Sequence, residues 1–272
     1  MATRTHRSQR RTDALSRERI VEAAVELLDT AGESGLTFRA LTERLATGPG
    51  AIYWHVANKD ELLAAATDAV VTAAVAVGSA AGAPRSESAG AGAGAGAGTP
   101  ASPQDGVRAV ALGLFDAIVR HPWLATQLAA QLSRNPWGTV TPRIFESIGQ
   151  QVRALDVPES SWFTVTSALV HYVLGAAGQN AVNSSSARAL PPGVDRAGFL
   201  DTVSTAWREL DPDDYPFTRA VADQMRGHDD RRQFLDGIDL VLAGITATHH
   251  RRPDDVGAQE DVQEDAQEDV QE

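Results

Sequence analysis

The sequence predicts an all-α protein with a small N-terminal three-helix domain followed by a larger helical domain. Apolar residues recur at intervals of three and four along most of the chain, and no strand-like alternation is sustained after residue 104. Between residues 37 and 60, N-capping residues and glycine and proline breakers alternate with short apolar stripes. The 272 residues, 43% of them apolar, suffice for one small and one ordinary domain.

Composition excludes several classes of protein. The chain has no cysteine, so it can build no disulfide framework, thiolate metal site or cysteine nucleophile. No apolar run approaches the roughly 20 residues of a membrane span, and the N-terminal arginines precede no apolar segment of the kind that signal peptides carry. We therefore expect a soluble, cytoplasmic protein with no membrane partner. Heavy use of Ala, Gly and Arg suggests a bacterial source.

Charge is distributed unevenly along the chain. The net charge of −12 argues against a general nucleic-acid binder. Nine acidic residues fall after residue 253, however, and without them the net charge is −3. The first 15 residues carry four arginines against one aspartate. Affinity for nucleic acid would therefore be local. The basic arm is either an inert leader or a segment that reaches phosphates or the minor groove.

Two longer helices are predicted on either side of the central stretch. The first spans residues 16–31, with a clear apolar face and Gly32 as a suitable C-cap. The other spans residues 60–77 and would link this region to the rest of the chain. Asn58 is its predicted N-cap, with Glu61 as capping-box partner.

Between them, the sequence predicts two short helices joined by a tight turn. Thr37 is the N-cap of the first helix. The run TGPG at positions 47–50 ends that helix, because Pro49 suits the first turn of a new helix and one of the two glycines can take a backbone geometry that other residues resist. The second helix covers residues 49–55.

The second of these short helices has an unusual surface. Ile52 and Val56 are four residues apart and face inward, which leaves Tyr53, Trp54 and His55 on the surface. An exposed aromatic cluster is costly unless it contacts a partner. Because the second helix of a helix-turn-helix enters the DNA major groove, we expect double-stranded DNA as that partner.

This stretch resembles the DNA-binding domain of the tetracycline-repressor (TetR) family. The matching runs, in order, are ERIVEAAVELLDTAG, LTFRALTERLA, IYWHV and NKDELL. We expect DNA contacts from the following residues: Thr37, Arg39, Thr47, Pro49, Gly50, Ala51, Tyr53, Trp54, His55 and Lys59. The resemblance implies that Arg39 and Lys59 contact phosphates. Residues 48–51 lack the long polar side chains that many relatives carry, so thymine methyl contacts and DNA shape would carry more of the specificity.

The composition changes sharply after residue 77. Residues 78–103 are rich in Gly and Ala, which predicts a flexible linker or a tolerated surface insertion. The acidic repeats near the end predict a disordered tail, either solvated or folded over the DNA-binding face. Helices are predicted between these segments over residues 105–120, 122–133, 142–154, 159–183, 196–210, 216–225 and 230–249.

These observations divide the chain into five parts. The parts are a basic arm (1–15), a DNA-binding domain with its linking helix (16–77), the linker (78–103), a helical ligand-binding and dimerisation domain (104–252) and the acidic tail (253–272).

The region after the linker resembles the C-terminal domain of the tetracycline-repressor branch. The resemblance rests on HPWL at 121–124, GTVTP at 138–142 and SALVHYVLGAAGQ at 167–179. It implies a homodimer in which helices 159–183 and 230–249 pair with their twofold mates as a four-helix bundle. The first of these helices is nearly uncharged, as expected for a helix buried on most sides, although a core helix of a monomer would look the same. The two DNA-binding domains of such a dimer would fit a palindromic operator.

Aromatic and polar residues of this domain are candidates for a small-molecule pocket. We expect contacts from Trp123, Trp137, Phe145, Trp162, His171, Gln179 and Asn180. The alternative for each tryptophan, and for His171, is an ordinary place in the core.

The pattern of metal ligands found in the tetracycline repressors proper is missing. Those proteins hold a drug–magnesium chelate with a histidine just before a Gly-Thr-x-Pro turn and a glutamate eight residues beyond a helical histidine. Here Pro136 and Trp137 precede the turn, and Gln179 lies eight residues beyond His171. Magnesium prefers carboxylates. We therefore expect no metal and no cofactor, and a flat organic inducer other than tetracycline, stacked on Trp137 and hydrogen-bonded to Gln179.

No arrangement of catalytic residues stands out. The Gly-Ala run lacks the strand context of a phosphate-binding loop, and the serines at 184–186 have no paired base nearby in sequence. We therefore expect not an enzyme but a ligand-responsive repressor, released from operator DNA by a small organic inducer. The alternative is a helical small-molecule-binding protein or enzyme with a vestigial DNA-binding head.

Overall fold

The computed structural model describes residues 15–82, 102–188 and 193–249, and these form eleven α-helices, two short 3₁₀ helices and no strand. The all-α prediction is confirmed. The α-helices are α1 (Arg17–Gly35), α2 (Phe38–Leu45), α3 (Pro49–Tyr53), α4 (Lys59–Gly82), α5 (Pro103–Arg120), α6 (Trp123–Arg134), α7 (Val140–Ala154), α8 (Trp162–Arg188), α9 (Arg196–Arg208), α10 (Pro216–Val221) and α11 (Asp230–His249). The 3₁₀ helices are Glu159–Ser161 and Ala222–Met225.

Helices α1 to α3 and the first turns of α4 form an N-terminal head. The Ser16 hydroxyl accepts the Arg19 backbone N–H at 3.2 Å, and that of Thr37 accepts the Ala40 N–H at 3.1 Å, so each fixes the start of its helix. The buried residues of the head form one cluster: Ile20, Ala23, Ala24, Leu28, Leu36, Leu41, Ile52, Val56, Leu62, Leu63 and Ala66.

Two residues with positive φ shape the chain path of the head. Gly32 has φ 65° and interrupts the helical geometry of α1, as its predicted capping role requires. The turn between α2 and α3 differs from the prediction. Ala46 takes the left-handed conformation, with φ 48°, whereas Gly48 has φ −82° and Gly50 lies inside α3. The Ala46 N–H donates to the carbonyls of Thr42 and Glu43.

The start of α4 is capped almost as predicted. Asn58 accepts the Glu61 backbone N–H at 2.8 Å, but the Glu61 carboxylate accepts the N–H of Ala57, at 2.8 Å, instead of that of Asn58. The helix then continues to Gly82, so residues 78–82, assigned to the linker, are helical. Residues 1–14 of the predicted arm, 83–101 of the linker and the whole predicted tail lie outside the described residues.

The larger domain packs around α5, α7 and α8, and α4, α6 and α11 complete its core. α11 runs antiparallel to α5. Arg231, near the start of α11, pairs with Asp116, and Arg108, near the start of α5, donates to Asp239 at 2.7 Å. None of the described helices combines the length and the apolar character that a bilayer crossing requires.

Gly237 of α11 packs directly against the Tyr172 ring of α8. A Cβ on Gly237 would lie 1.9 Å from the Tyr172 hydroxyl oxygen, so only glycine leaves room for that ring. The Tyr172 hydroxyl donates to the Phe234 backbone carbonyl at 3.0 Å. These contacts bury one side of both helices and leave the other side exposed.

Helices α9 and α10 and the second 3₁₀ helix pack mainly on one another. Arg219 donates to the carbonyls of Arg208 and Leu210 at the end of α9, and Arg226 pairs with Asp201 at 2.8 Å. The predicted helix 216–225 is thus divided into α10 and a 3₁₀ helix.

Candidate DNA-binding face and effector cleft

Helix α3 gives the head an aromatic face. Ile52 and Val56 are 0% and 1% exposed, which turns the opposite side of the helix to solvent. Trp54, at the end of α3, is 90% exposed, and Tyr53 is 53% exposed. His55 follows and is partly exposed. The spacing of the two aliphatic residues therefore decides which side chains are available to a partner.

One of these aromatic rings is held in place by α2. The Tyr53 and Phe38 rings are stacked, with centroids 4.6 Å apart and an interplanar angle of 16°. Because Phe38 is the first residue of α2, this stack joins the two helices of the motif. Trp54 has no such support and extends furthest into solvent.

The two predicted phosphate contacts make bonds within the protein. The Arg39 guanidinium pairs with Glu43 at 3.0 Å, and both side chains are largely exposed. Such a pair contributes at most about 0.5 kcal/mol, so a phosphate can replace Glu43 at little cost. The Lys59 ammonium donates to the Glu33 backbone carbonyl at 2.6 Å. An ammonium has three N–H donors, so two remain for DNA.

Thr47, Pro49, Gly50 and Ala51 lie at the start of α3 or in the turn before it, and Thr37 is the N-cap of α2. Pro49 and Gly50 are exposed, and a Cβ on Gly50 would meet no atom within 4 Å. All ten predicted DNA residues thus lie between the N-cap of α2 and the first residue of α4.

The seven predicted ligand residues, by contrast, are dispersed. Trp123 lies between the head and the larger domain, where its indole N–H donates to Asp29 at 2.7 Å. Trp137 is 81% exposed in the turn between α6 and α7. Phe145 and Trp162 line a cleft between α7 and α8.

The three predicted ligand residues of α8 divide between its two sides. His171 and Gln179 are on the exposed side, where the Gln179 amide donates to Asn183 at 3.0 Å. Asn180 is buried on the other side. Trp137 and Gln179, which the sequence placed around one ligand, do not line this cleft. Nor do they line a cavity between α1, α4 and α5 or another between α1 and α6.

The cleft between α7 and α8 has a volume of about 460 Å³ and an aromatic wall. The Phe145 and Phe163 rings are 6.0 Å apart at an angle of 26°, and the Arg153 guanidinium lies 5.2 Å from the centroid of Trp162. Thr166, which is 4% exposed, adds a hydroxyl. Flat rings beside a cation and a hydroxyl suit an aromatic ligand that carries a hydrogen-bond acceptor.

Arg153, Phe163 and Thr166 were not among the predicted ligand residues, although the sequence carries a signal for two of them. Arg153 follows Phe145 by two four-residue steps, and Thr166 follows Trp162 by one. Residues four apart lie on one side of a helix, so a cleft predicted at Phe145 and Trp162 should also include Arg153 and Thr166.

A second cavity, of about 500 Å³, lies between α1, α4 and α5. Most of its wall is aliphatic, with Val21, Val25 and Val70 among the lining residues, and Glu22 and Arg120 also line it. None of the predicted ligand residues does. The described part of the chain contains no group of three or more His, Asp or Glu side chains placed to hold a metal ion.

Comparisons with known proteins agree with this two-domain arrangement. The family "Bacterial regulatory proteins, tetR family" matches residues 20–66, and "Tetracyclin repressor-like, C-terminal domain" matches residues 99–249. The transcriptional regulator SCO7222 of Streptomyces coelicolor, a TetR, is 68% identical in a match covering 86% of this chain and 99% of that one, with a TM-score of 0.73.

Two further relatives are more distant. An HTH-type transcriptional regulator of Saccharopolyspora erythraea is 27% identical over 247 residues, which is 90% of each chain. ActR of Streptomyces coelicolor, solved in complex with actinorhodin, shares the fold at 22% identity and a TM-score of 0.63, over 87% of this chain and 99% of that one.

The two family matches cover the head and the larger domain, including α3 and the cleft between α7 and α8. The resemblance inferred from the sequence is therefore confirmed in both domains. The chain belongs to the TetR family of bacterial transcriptional regulators and is not an enzyme.

Proposed function

We propose that the protein is a dimeric repressor that holds a palindromic operator until a small organic inducer releases it. The observation that carries this proposal is the surface of α3. Trp54 is 90% exposed, while the large aliphatic residues of the head are buried. Tyr53, 53% exposed beside it, extends this surface into an aromatic patch, and exposed apolar patches mark interaction sites.

DNA recognition by this surface would use few base-edge hydrogen bonds. The start of α3 offers Pro49, Gly50 and Ala51, none with a polar side chain. Ala51 suits a thymine methyl group, and Trp54 adds apolar contact in the groove. Arg39 and Lys59 supply charge to phosphates, which sets affinity and register but not sequence.

An unpartnered face on each of two helices supports dimerisation. On α8 six exposed residues recur every three or four positions: Thr164, Ala168, His171, Gly175, Gln179 and Val182. On α11 the exposed residues include Leu240, Ala243, Gly244 and Ala247. Apart from the neighbouring residues and the backbone of its own helix, a Cβ placed on Gly175 or Gly244 would meet no atom of the described chain within 4 Å. The two faces together fit a four-helix bundle with a second copy, and His171 and Gln179 belong to them.

The cleft between α7 and α8 is the proposed inducer site. Its lining favours a flat aromatic inducer, which the sequence also predicted. The contacts would come from Phe145, Trp162, Phe163 and Arg153 rather than from Trp137 and Gln179. Glu146 is the one carboxylate among the residues that line the cleft, and none of them is a histidine, so we propose binding without magnesium. The complex of ActR with actinorhodin shows that another protein of this fold holds a small molecule.

Release follows from linkage. An inducer that prefers the conformation unable to engage both half-sites weakens operator binding by the ratio of its affinities for the two states, and operator DNA weakens inducer binding by the same factor.

The test begins with selection of bound sequences from a random double-stranded DNA library by the purified full chain. We expect an inverted repeat with half-sites about 34 Å apart. Placed across a promoter in a reporter strain, that operator should lower expression when the protein is present. Flat aromatic acids are then screened for release, with and without a magnesium chelator.

Three results would contradict the proposal. Selection could enrich no sequence, the reporter could rise instead of fall, or release could require magnesium. The first would restore the view of a helical small-molecule-binding protein with a vestigial head.

A further inference from the structure

The end of α1 is bonded to the larger domain by two carboxylates one turn apart. Asp29 accepts the Trp123 indole N–H at 2.7 Å and lies 2.7 Å from Nδ1 of His121. Glu33 accepts the side-chain amide N–H of Gln127 at 2.9 Å. All three core partners lie on α6 or just before it, so α6 is bonded to the head at two successive turns of α1.

Glu33 is also bonded through its backbone. Its carbonyl accepts the Lys59 ammonium at 2.6 Å. The preceding Gly32 has φ 65° and breaks the helix. The Glu33 carbonyl also accepts the Leu36 backbone N–H, at 3.3 Å, and a carbonyl oxygen has a second lone pair for the ammonium. The partial negative charge at the end of a helix makes it a suitable acceptor for an ammonium. One residue thus connects a core glutamine on one side to Lys59 on the other.

Trp123 connects the two domains through its ring as well. It packs against the buried cluster of the head and against that of the larger domain. A movement of α6 therefore cannot leave the end of α1 unaffected, because the indole ring and the hydrogen bonds of Asp29 and Glu33 move with it.

Lys59 lies close in sequence to α3, so a movement of α6 passed on to Lys59 would change DNA binding. It is the first residue of α4, and α3 ends six positions earlier at Tyr53. It is also one of the two residues proposed to contact phosphate. Holding its flexible side chain in place before DNA arrives reduces the ordering cost of binding.

We propose that Asp29 and Glu33 of α1, with Trp123 and Gln127 of α6, form a latch through which the larger domain positions Lys59 for DNA. Glu33 and Gln127 are positioning residues that act through Lys59. The inference rests on the proposed DNA-binding function. It adds a route for the signal that runs from α6 through α1, separate from the covalent connection through α4.

The test uses Gln127→Met, which keeps the shape of a side chain that is 7% exposed but removes its N–H. The matched control is Gln131→Met, one turn further along α6, where the side-chain oxygen accepts the Asn135 amide N–H at 3.2 Å and makes no bond to the described residues of the head. Affinity is measured for the full chain on the duplex selected by the wild-type protein. We expect Gln127→Met to weaken binding about fivefold, the effect of leaving one long side chain unordered, and Gln131→Met to change it less than twofold.

A double-mutant cycle separates positioning from general loss of structure. In a Lys59→Met background the Gln127→Met change should cost less than twofold, because the group that it positions is gone. Equal effects of Gln127→Met in both backgrounds, or no effect in either, would overturn the proposal.

Hydrogen exchange tests the latch without DNA. The backbone amides of residues 33–36 should exchange faster in Gln127→Met than in Gln131→Met or the wild type. If the wild type binds no specific DNA but this difference is found, the DNA-binding proposal fails while the bonded junction stands. If exchange is the same in all three proteins, the latch does not exist.

Discussion

At the scale of single residues, the two largely exposed tryptophans differ in surroundings rather than in exposure. Trp54 is 90% exposed and Trp137 is 81% exposed. Trp54 directly follows α3, with Tyr53 stacked on α2 beside it, whereas Trp137 lies in a turn of the larger domain. The same side chain in two settings offers an internal comparison for the DNA-binding face.

Trp54→Ala should weaken binding to the selected operator about 10- to 100-fold, as expected for loss of a base contact worth about 1–3 kcal/mol. Thermal stability should change by less than about 0.5 kcal/mol, because the side chain is almost fully solvated. Trp137→Ala is the control and should leave operator affinity unchanged. Equal affinities for wild type and Trp54→Ala, measured by fluorescence anisotropy of labelled duplex, would remove α3 from the recognition surface.

Residues whose conformation has a local cause were predictable from the sequence. Thr37 caps α2 through its own hydroxyl, and Gly32 supplies a positive φ that other residues resist. Ala46 was missed because nothing in its side chain favours the left-handed conformation. Its bonds to the carbonyls at the end of α2 impose that conformation, at a cost of about 1–2 kcal/mol.

At the scale of helices, the contact between α4 and α5 is the most extensive in the described structure. It depends on Gly113. A Cβ there would lie 2.3 Å from the Ala74 carbonyl oxygen, which belongs to the backbone and cannot turn aside. The two helices can approach this closely only because α5 has no side chain at that point. Since α4 carries the head, its contact with α5 also sets how the head is held.

Gly113→Ala should therefore lower the free energy of unfolding by about 1–3 kcal/mol, the usual range for overpacking, and Gly113→Val by more. The comparison is Gly149→Ala on α7, where the nearest atom to the new Cβ is the Thr166 hydroxyl oxygen at an ordinary 3.7 Å. That change should be neutral or slightly stabilising, since alanine favours the helix. Urea unfolding followed by circular dichroism measures both. A Gly113→Ala protein as stable as the wild type would show that α4 and α5 can separate freely.

Helix positions were predictable from the sequence, but the side of α8 that faces inward was not. The periodicity of α8 is obscured because apolar or small residues surround it. His171 and Gln179 looked like pocket residues, yet contacts from α5, α7 and α11 cover the opposite side. The cleft was found only in part for the same reason, since its residues come from two helices whose relative rotation is set by packing.

At the scale of the whole molecule, the proposed dimer determines what the two heads can do together. The unpartnered faces of α8 and α11 lie in the larger domain, while α3 lies in the head. Two protomers joined through the larger domain would hold two α3 helices at a fixed separation. The distance between the two half-sites of the operator would then depend on the geometry of the dimer interface, which lies in the larger domain.

Leu240→Glu should weaken dimerisation at least tenfold, because it places a carboxylate in an interface that would otherwise exclude water. Leu240 is 75% exposed in the single chain, so the monomer should keep its stability. Phe217→Glu on α10, which replaces a residue exposed to 76%, is the matched control and should leave the dimer intact. Sedimentation velocity over a range of concentrations distinguishes them. Unchanged dimerisation in Leu240→Glu would exclude α11 from the interface.

Lys59 is the only lysine in the chain, and its ammonium is bonded to Glu33. Acylation of lysine side chains can therefore modify one nitrogen and no other. A single acetyl group would remove the positive charge, weaken the bond to α1 and remove the proposed phosphate contact in one step. The rate at which this amine reacts with a small acylating reagent also becomes a direct chemical measure of how firmly the larger domain holds the head.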